Sequence, residues 1–166
     1  ERIAPTECDN FYRKQQLIGY VHDETACFFG GVQGNAGLFS NANDLAKLCQ
    51  MWLNKGTYGN ERILSPKTVE LFLTEKSSTS RRGLGFDKPD MENPEKSPTA
   101  IEASASTIGH LGFTGTCFWI DPEQELIYIF LCNRVYPSRT HDALSQLNIR
   151  PELFSTIYRS IKNHSK

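Results

Sequence analysis

The sequence has no long apolar run. None of its stretches approaches the ~20 consecutive apolar residues that a membrane-spanning helix needs. It has no excess of charge either. The 166 residues carry 18 Lys and Arg against 19 Asp and Glu, a net charge of −1. Neither nucleic acid nor an anionic membrane is therefore expected as a partner. No signal peptide is visible, and the chain starts with Glu1 rather than Met, so we expect a piece of a longer protein. The five cysteines, Cys8, Cys27, Cys49, Cys117 and Cys132, are odd in number and show no C-x-x-C spacing, which argues against a zinc site. Cys49 falls on a helical stripe, and Cys117 and Cys132 fall in strand-like runs, as buried thiols acting as small hydrophobes do. His22 stands beside Asp23 and Glu24 but lacks a third ligand at any recognisable spacing, so no metal is expected. The glycines from Gly30 to Gly37 do not follow G-x-G-x-x-G, and no strand–helix crossover surrounds them. They read as a closely packed loop, and no cofactor is expected.

What remains suits one domain with a sizeable core: 39% hydrophobic residues and 22% charged. Gln16–His22 has the composition of a short strand. Asn41 is a good N-cap with Asp44 three places on, and Leu45, Leu48, Cys49, Trp52 and Leu53 follow as one apolar stripe. Lys55-Gly56 ends that helix. Ser65 caps a second helix with Pro66 in its first turn and Val69, Phe72 and Leu73 on its buried face. Residues 77–82 are a polar linker, Gly83–Asp87 a candidate short strand, and residues 88–104 a surface loop with three prolines. Thr116–Ile120 and Leu126–Cys132 flank Asp121-Pro122 as a β-hairpin. A last helix, Pro151–Lys162, carries the stripe Leu153, Phe154, Ile157, Tyr158 and Ile161. Residues 1–76 are a loop and helical part, and residues 83–166 hold the hairpin and the final helix. The class is α+β, an antiparallel sheet with flanking helices.

The stretch leading into the hairpin holds His110, Gly112, Thr114 and Gly115, and the hairpin itself opens on Thr116, an odd start for a buried strand. Glycine weakens a strand interior unless another backbone or a ligand comes close. "GNAGLFSNANDLAKLCQMWLNKGTYGNERILSPKTVELF", "RRGLGFD" and "GHLGFTGTCFWIDPEQELIYIFLCNRV", in that order, resemble the C-terminal part of the serine β-lactamase-like, penicillin-binding-protein superfamily. The branch is that of class C β-lactamases, D-alanyl-D-alanine carboxypeptidases and esterases. The resemblance runs from about Ile3 to the end and implies a β-lactamase/transpeptidase-like fold working by nucleophilic acyl transfer. It places His110-Leu111-Gly112 at the Lys-Thr-Gly or His-Thr-Gly motif, on the strand that edges the active site. His110, Gly112 and Phe113 are then the catalytic candidates, with the Phe113 N–H as one oxyanion donor. Leu111 replaces the motif's threonine, and Leu111, Thr114, Asn35 and His22 are expected to line the substrate site. Asn35 stands where resembling loops carry His, in G-H-A-G.

Acyl transfer in this superfamily needs a serine in S-x-x-K. No serine of this chain has a lysine three places on; in Ser65-Pro66-Lys67 and Ser160-Ile161-Lys162 the lysine comes one place early. Tyr58-Gly59-Asn60 matches the second motif, Y-x-N, only formally, since it lies in the turn after the first helix. The expectation is thus a C-terminal portion, inactive alone, whose nucleophile lies in an N-terminal part of the same polypeptide. Its substrates would be D-amino-acid peptides of the cell wall, β-lactams or small esters. The resemblance implies a bacterial parent working in the periplasm or otherwise outside the cytoplasm. A portion without its partner strands would expose a sheet edge and pair with a second copy. The alternative is a degenerate binding module on the same fold, which the Leu111 and Asn35 departures favour.

Overall fold

The computed structural model describes residues 3–74 and 76–164. The chain opens with a hairpin, β1 (Pro5–Asp9) against β2 (Gln15–Ile18), followed by a short helix α1 (Glu24–Phe28) and the glycine loop. Helix α2 (Ala42–Leu53) starts as its sequence predicts: the Asn41 side chain accepts the Asp44 N–H at 3.0 Å. A minimal hairpin follows, β3 (Thr57–Tyr58) with β4 (Glu61–Arg62), and then α3 (Pro66–Thr74), whose Thr68 N–H is capped by Ser65 Oγ at 3.0 Å. The second half holds β5 (Ile108–Leu111), β6 (Cys117–Asp121) and β7 (Leu126–Phe130), then the short α4 (Ala143–Gln146) and the long α5 (Ile149–His164).

Strands β5, β6 and β7 form one antiparallel sheet in that spatial order. The period-2 pattern of β6 feeds two cores at once. Cys117 and Trp119 face α5, where Tyr128, Phe154, Tyr158, Ala100 and Ala103 join them. Phe118 and Ile120 face the other way, onto Cys49, Trp52 and Leu53 of α2 and Leu73 of α3. The sheet is therefore covered on both faces, and the α+β class is as expected from sequence.

The lead-in to the hairpin is a strand, β5, as the resemblance implies for His110 and Leu111, with Gly112 just beyond its end. Three local expectations need correction. Gly83–Asp87 makes only a single bridge, Asp87 to Gly109, because the Gly83 N–H turns back to the Phe86 carbonyl. The loop of residues 88–104 is not all surface. Ser97 and Thr99 are buried, and Ala100 and Ala103 are buried in the cluster shared by α5 and the sheet. Finally, α5 meets the sheet through Phe154, stacked on Tyr128 at 4.5 Å, and through Tyr158. Leu153, Ile157 and Ile161 form the neighbouring i, i+4, i+8 row and stand exposed.

A buried carboxylate holds the hairpin's far end. Asp121 accepts from Tyr158 Oη at 2.5 Å, from Ser104 Oγ at 2.7 Å and from the N–H groups of Ser104, Glu123 and Gln124. Burial alone would raise its pKa, but these donors outweigh burial and hold it below the ordinary carboxylate range.

Candidate active site

The end of β5 carries the site candidates because strand alternation separates them. His110 lies on the same face as Ile108 and is exposed, while Leu111 turns to the opposite face and packs against the Trp119–Phe154 cluster. The imidazole of His110 is held at both nitrogens. Nδ1 lies 2.8 Å from the Leu111 carbonyl and Nε2 lies 2.8 Å from Arg82 Nη1. A carbonyl can only accept and a guanidinium can only donate, so the contacts assign the Nδ1–H tautomer with Nε2 as acceptor. Arg82 also approaches Asp87 at 3.7 Å, but that buried carboxylate is already paired with Arg81 at 2.8 and 3.0 Å. Two arginines thus lean on one aspartate, and positive charge is left over beside His110.

After Leu111 the chain makes a tight turn back into β6. The Gly112 N–H donates to the Thr116 carbonyl at 2.7 Å, and the Gly115 N–H donates to the Gly112 carbonyl at 3.0 Å. Both glycines are sterically required. A Cβ on Gly112 would stand 2.5 Å from Thr116 Oγ1. Gly115 has φ +116°, and a Cβ there would stand 2.6 Å from Cys132 Sγ. At the crest sits Phe113, 63% exposed. Its N–H takes no hydrogen-bond partner among the described residues. Thr114 is half-buried, and its carbonyl accepts the Arg134 N–H at 2.9 Å.

His22 comes to this turn from the other end of the chain. Its ring lies 5.3 Å from the Phe113 ring, centroid to centroid. Its Nε2 is 3.1 Å from Glu7 Oε2, close enough for attraction, yet the pair is not aligned as a hydrogen bond. Burial dominates and, with Arg139 nearby, outweighs the pull of Glu7, so the His22 pKa lies below its ordinary value. Glu7 is tied to Arg139, which donates at 2.7 and 2.8 Å from Nε and Nη2. These bonds hold the Glu7 pKa low against burial. Arg139 also meets Glu24 at 2.8 Å. Asn35 stands one step further out. It is exposed and donates to Asp23 Oδ1 at 3.4 Å, the same oxygen that caps α1 through the Ala26 N–H.

The structure therefore brings His110, Gly112, Phe113, Thr114 and His22 to one corner, with Asn35 joined to it through Asp23 and Leu111 turned away. Sequence reasoning missed Arg82, Arg134, Glu7 and Arg139. They are single charged residues far apart in the chain, with no motif spacing to mark them. The two buried cysteines, Cys49 and Cys117, are poor nucleophiles. Burial pushes the Cys49 thiol up to about 11 and Cys117 up to about 12. No cluster of three metal-ligating side chains occurs among the described residues.

Comparison with known proteins adds an independent line. The family model described as Beta-lactamase matches residues 4–149. Proteins named "Putative D-alanyl-D-alanine carboxypeptidase" from Salmonella paratyphi B, Salmonella newport and Salmonella heidelberg are each 38% identical over 144 residues. The match covers 86% of this chain and 32% of each relative, so the chain spans about a third of the length of the curated proteins it matches.

Proposed function

Because this chain belongs to the β-lactamase family, with a match from residue 4 to 149, we propose that it is the C-terminal part of a serine hydrolase acting by acyl transfer. Its fold is related to that of the serine hydrolases, and the observation that carries the finer reading is the end of β5. There an exposed His110 on the edge strand β5 is followed, in the turn after it, by the unpartnered Phe113 N–H. The chemistry assigns each a task. A serine Oγ from an S-x-x-K segment outside these 166 residues gives its proton to a neighbouring base and bonds to the substrate carbonyl carbon, forming a tetrahedral adduct with the charge on the carbonyl oxygen. The Phe113 N–H stabilises that oxyanion with the nucleophile's own N–H. The C–N or C–O bond then breaks, the proton goes to the leaving group, and water hydrolyses the acyl-enzyme. His110, held by Arg82, faces the leaving group or its carboxylate.

The substrates we propose are peptides ending in a D-amino acid, β-lactams or small esters. The surplus positive charge of Arg82 beside His110 favours a substrate with a free carboxylate, and the relatives' printed name, D-alanyl-D-alanine carboxypeptidase, supports the same class. Such a protein would work in the periplasm or elsewhere outside the cytoplasm. Its first partner would be the N-terminal portion of its own polypeptide. The test is hydrolysis of a D-Ala-D-Ala peptide and of a p-nitrophenyl ester by the full-length protein and by the 166-residue chain alone. Turnover by the former and none by the latter supports the reading. Inactivity of the full-length protein on both favours a second reading, a degenerate binding module, for which Asn35 in place of a titratable histidine is the specific observation.

A further inference from the structure

The turn Gly112–Gly115 has all its carbonyls occupied on one side. The Gly112 carbonyl accepts from the Gly115 N–H at 3.0 Å and, more loosely, from Arg150 Nη1 at 3.5 Å. The Phe113 carbonyl accepts from Arg134 Nε at 2.9 Å. The Thr114 carbonyl accepts the Arg134 backbone N–H at 2.9 Å, and the Gly115 carbonyl lies 3.4 Å from Arg150 Nη1. The Gly112–Phe113 peptide is trans, so its N–H points opposite to its carbonyl. Pulling the carbonyl into the turn therefore aims the Phe113 N–H outward, where no described residue meets it.

Arg134 does not touch the Gly112 carbonyl; it fixes Phe113 from the next peptide and from its ring. Besides the Phe113 carbonyl, its guanidinium lies 4.5 Å above the Phe113 ring. Its Nη1 donates to the carbonyls of Arg139 at 3.1 Å and His141 at 2.5 Å. One planar group thus fixes the backbone and the ring of Phe113 and ties both to the loop after β7. The His22 ring also lies against the Phe113 ring, at 5.3 Å. A point-charge ammonium would satisfy one of these contacts at a time, whereas a guanidinium satisfies them together.

We infer that Arg134 is a positioning residue for acyl transfer: it clamps Phe113 so that its N–H is preorganised as the oxyanion donor. This rests on the hydrolase reading given above. Preorganisation matters because a donor that must reorient during the reaction loses much of its effect.

The test uses the full-length protein with Arg134→Met and Arg134→Lys. Steady-state kinetics on an ester are paired with affinity for a peptide boronic acid. The boronic acid forms a bond from serine Oγ to boron, giving a tetrahedral anion with one boron-bound oxygen at the oxyanion position. Arg134→Met should lower kcat roughly tenfold to a hundredfold, a fraction of what losing a whole donor costs. KM should stay within about twofold, because ground-state binding is not touched. Boronate affinity should fall in parallel with kcat, and Arg134→Lys should lie between the two. Circular dichroism of each variant sets the folded fraction to which rates are normalised. Normal kcat and boronate affinity in Arg134→Met would overturn the inference, and so would a kcat loss with no loss of boronate affinity. A wild-type protein that neither hydrolyses the ester nor binds the boronate would instead remove the hydrolase reading, and this inference with it.

Discussion

His110 and Trp119 sit one register step apart on β5 and β6, yet their surroundings are opposite. His110 is exposed near the end of β5, and Trp119 is 1% exposed between the sheet and α5. In the full-length protein His110→Ala should lower kcat/KM about a hundredfold, the scale of losing a group that supports transition-state charge. Its stability should change by only about 0.5 kcal/mol, as for other exposed positions. Trp119→Ala should instead cost ~3–5 kcal/mol of stability through the cavity it leaves. Melting temperature and kcat/KM measured on both variants separate the two. His22 makes a different prediction. Burial holds its pKa below the ordinary 6.5 in the folded chain, in surroundings that also contain Glu7, Arg139, Glu24 and Arg13. The unfolded chain then binds the extra proton first, so stability is full above pH 6.5 and falls as pH drops below it. Glu7, held below 4.5 by Arg139, keeps its contribution above pH 4.5 and loses it as pH falls through the lowered folded value. Melting temperature followed against pH should therefore fall in two stages on the acid side, and His22→Gln should flatten the first stage, just below pH 6.5, while leaving the second.

At the scale of elements, what could be read in the sequence is what local chemistry dictates. Helix α2 follows from Asn41, Asp44 and the stripe through Trp52, because its cap and its period lie within one stretch. Strands β6 and β7 follow from their composition and the Asp121 turn. Strand β1 and its pairing with β2 were not legible, although Gln16–His22 read as a strand, and β5 was placed on a strand only through the family resemblance. The packing of β1 depends on distant groups: Cys8 N–H bonds the Pro137 carbonyl, and Asn133 donates to the carbonyls of Pro5 and Thr6. The stripe of α5 was legible as apolar but not as two rows, since only the sheet decides that Phe154 and Tyr158 face inward. The other row, Leu153, Ile157 and Ile161, stands exposed, and among the described residues β7 pairs on one edge only. An exposed apolar row beside an open strand edge invites association. The 166-residue chain alone is therefore predicted to elute from a sizing column larger than its 18.8 kDa mass. Leu153→Lys with Ile157→Lys should shift it toward the monomer without loss of helix by circular dichroism. A wild-type chain that elutes as a monomer would show that these surfaces need no cover.

On the scale of the whole molecule, the candidate site divides between what a motif reports and what folding assembles. His110, Gly112 and Phe113 were readable because three neighbouring residues carry the signal. Arg82, Arg134, Glu7 and Arg139 were not, because their roles arise only when residues as far apart as Glu7 and Arg139 meet at 2.7 Å. The central claim is that this chain supplies the oxyanion donor and His110 to a serine that lies outside it. The most direct measurement is mass-spectrometric mapping of the full-length protein after incubation with a penicillin. The account predicts one acylated serine, outside these 166 residues and in an S-x-x-K segment, with slower acylation in His110→Ala. A penicilloyl group on any serine within residues 1–166, or a labelled serine whose acylation His110→Ala leaves unchanged, would contradict it.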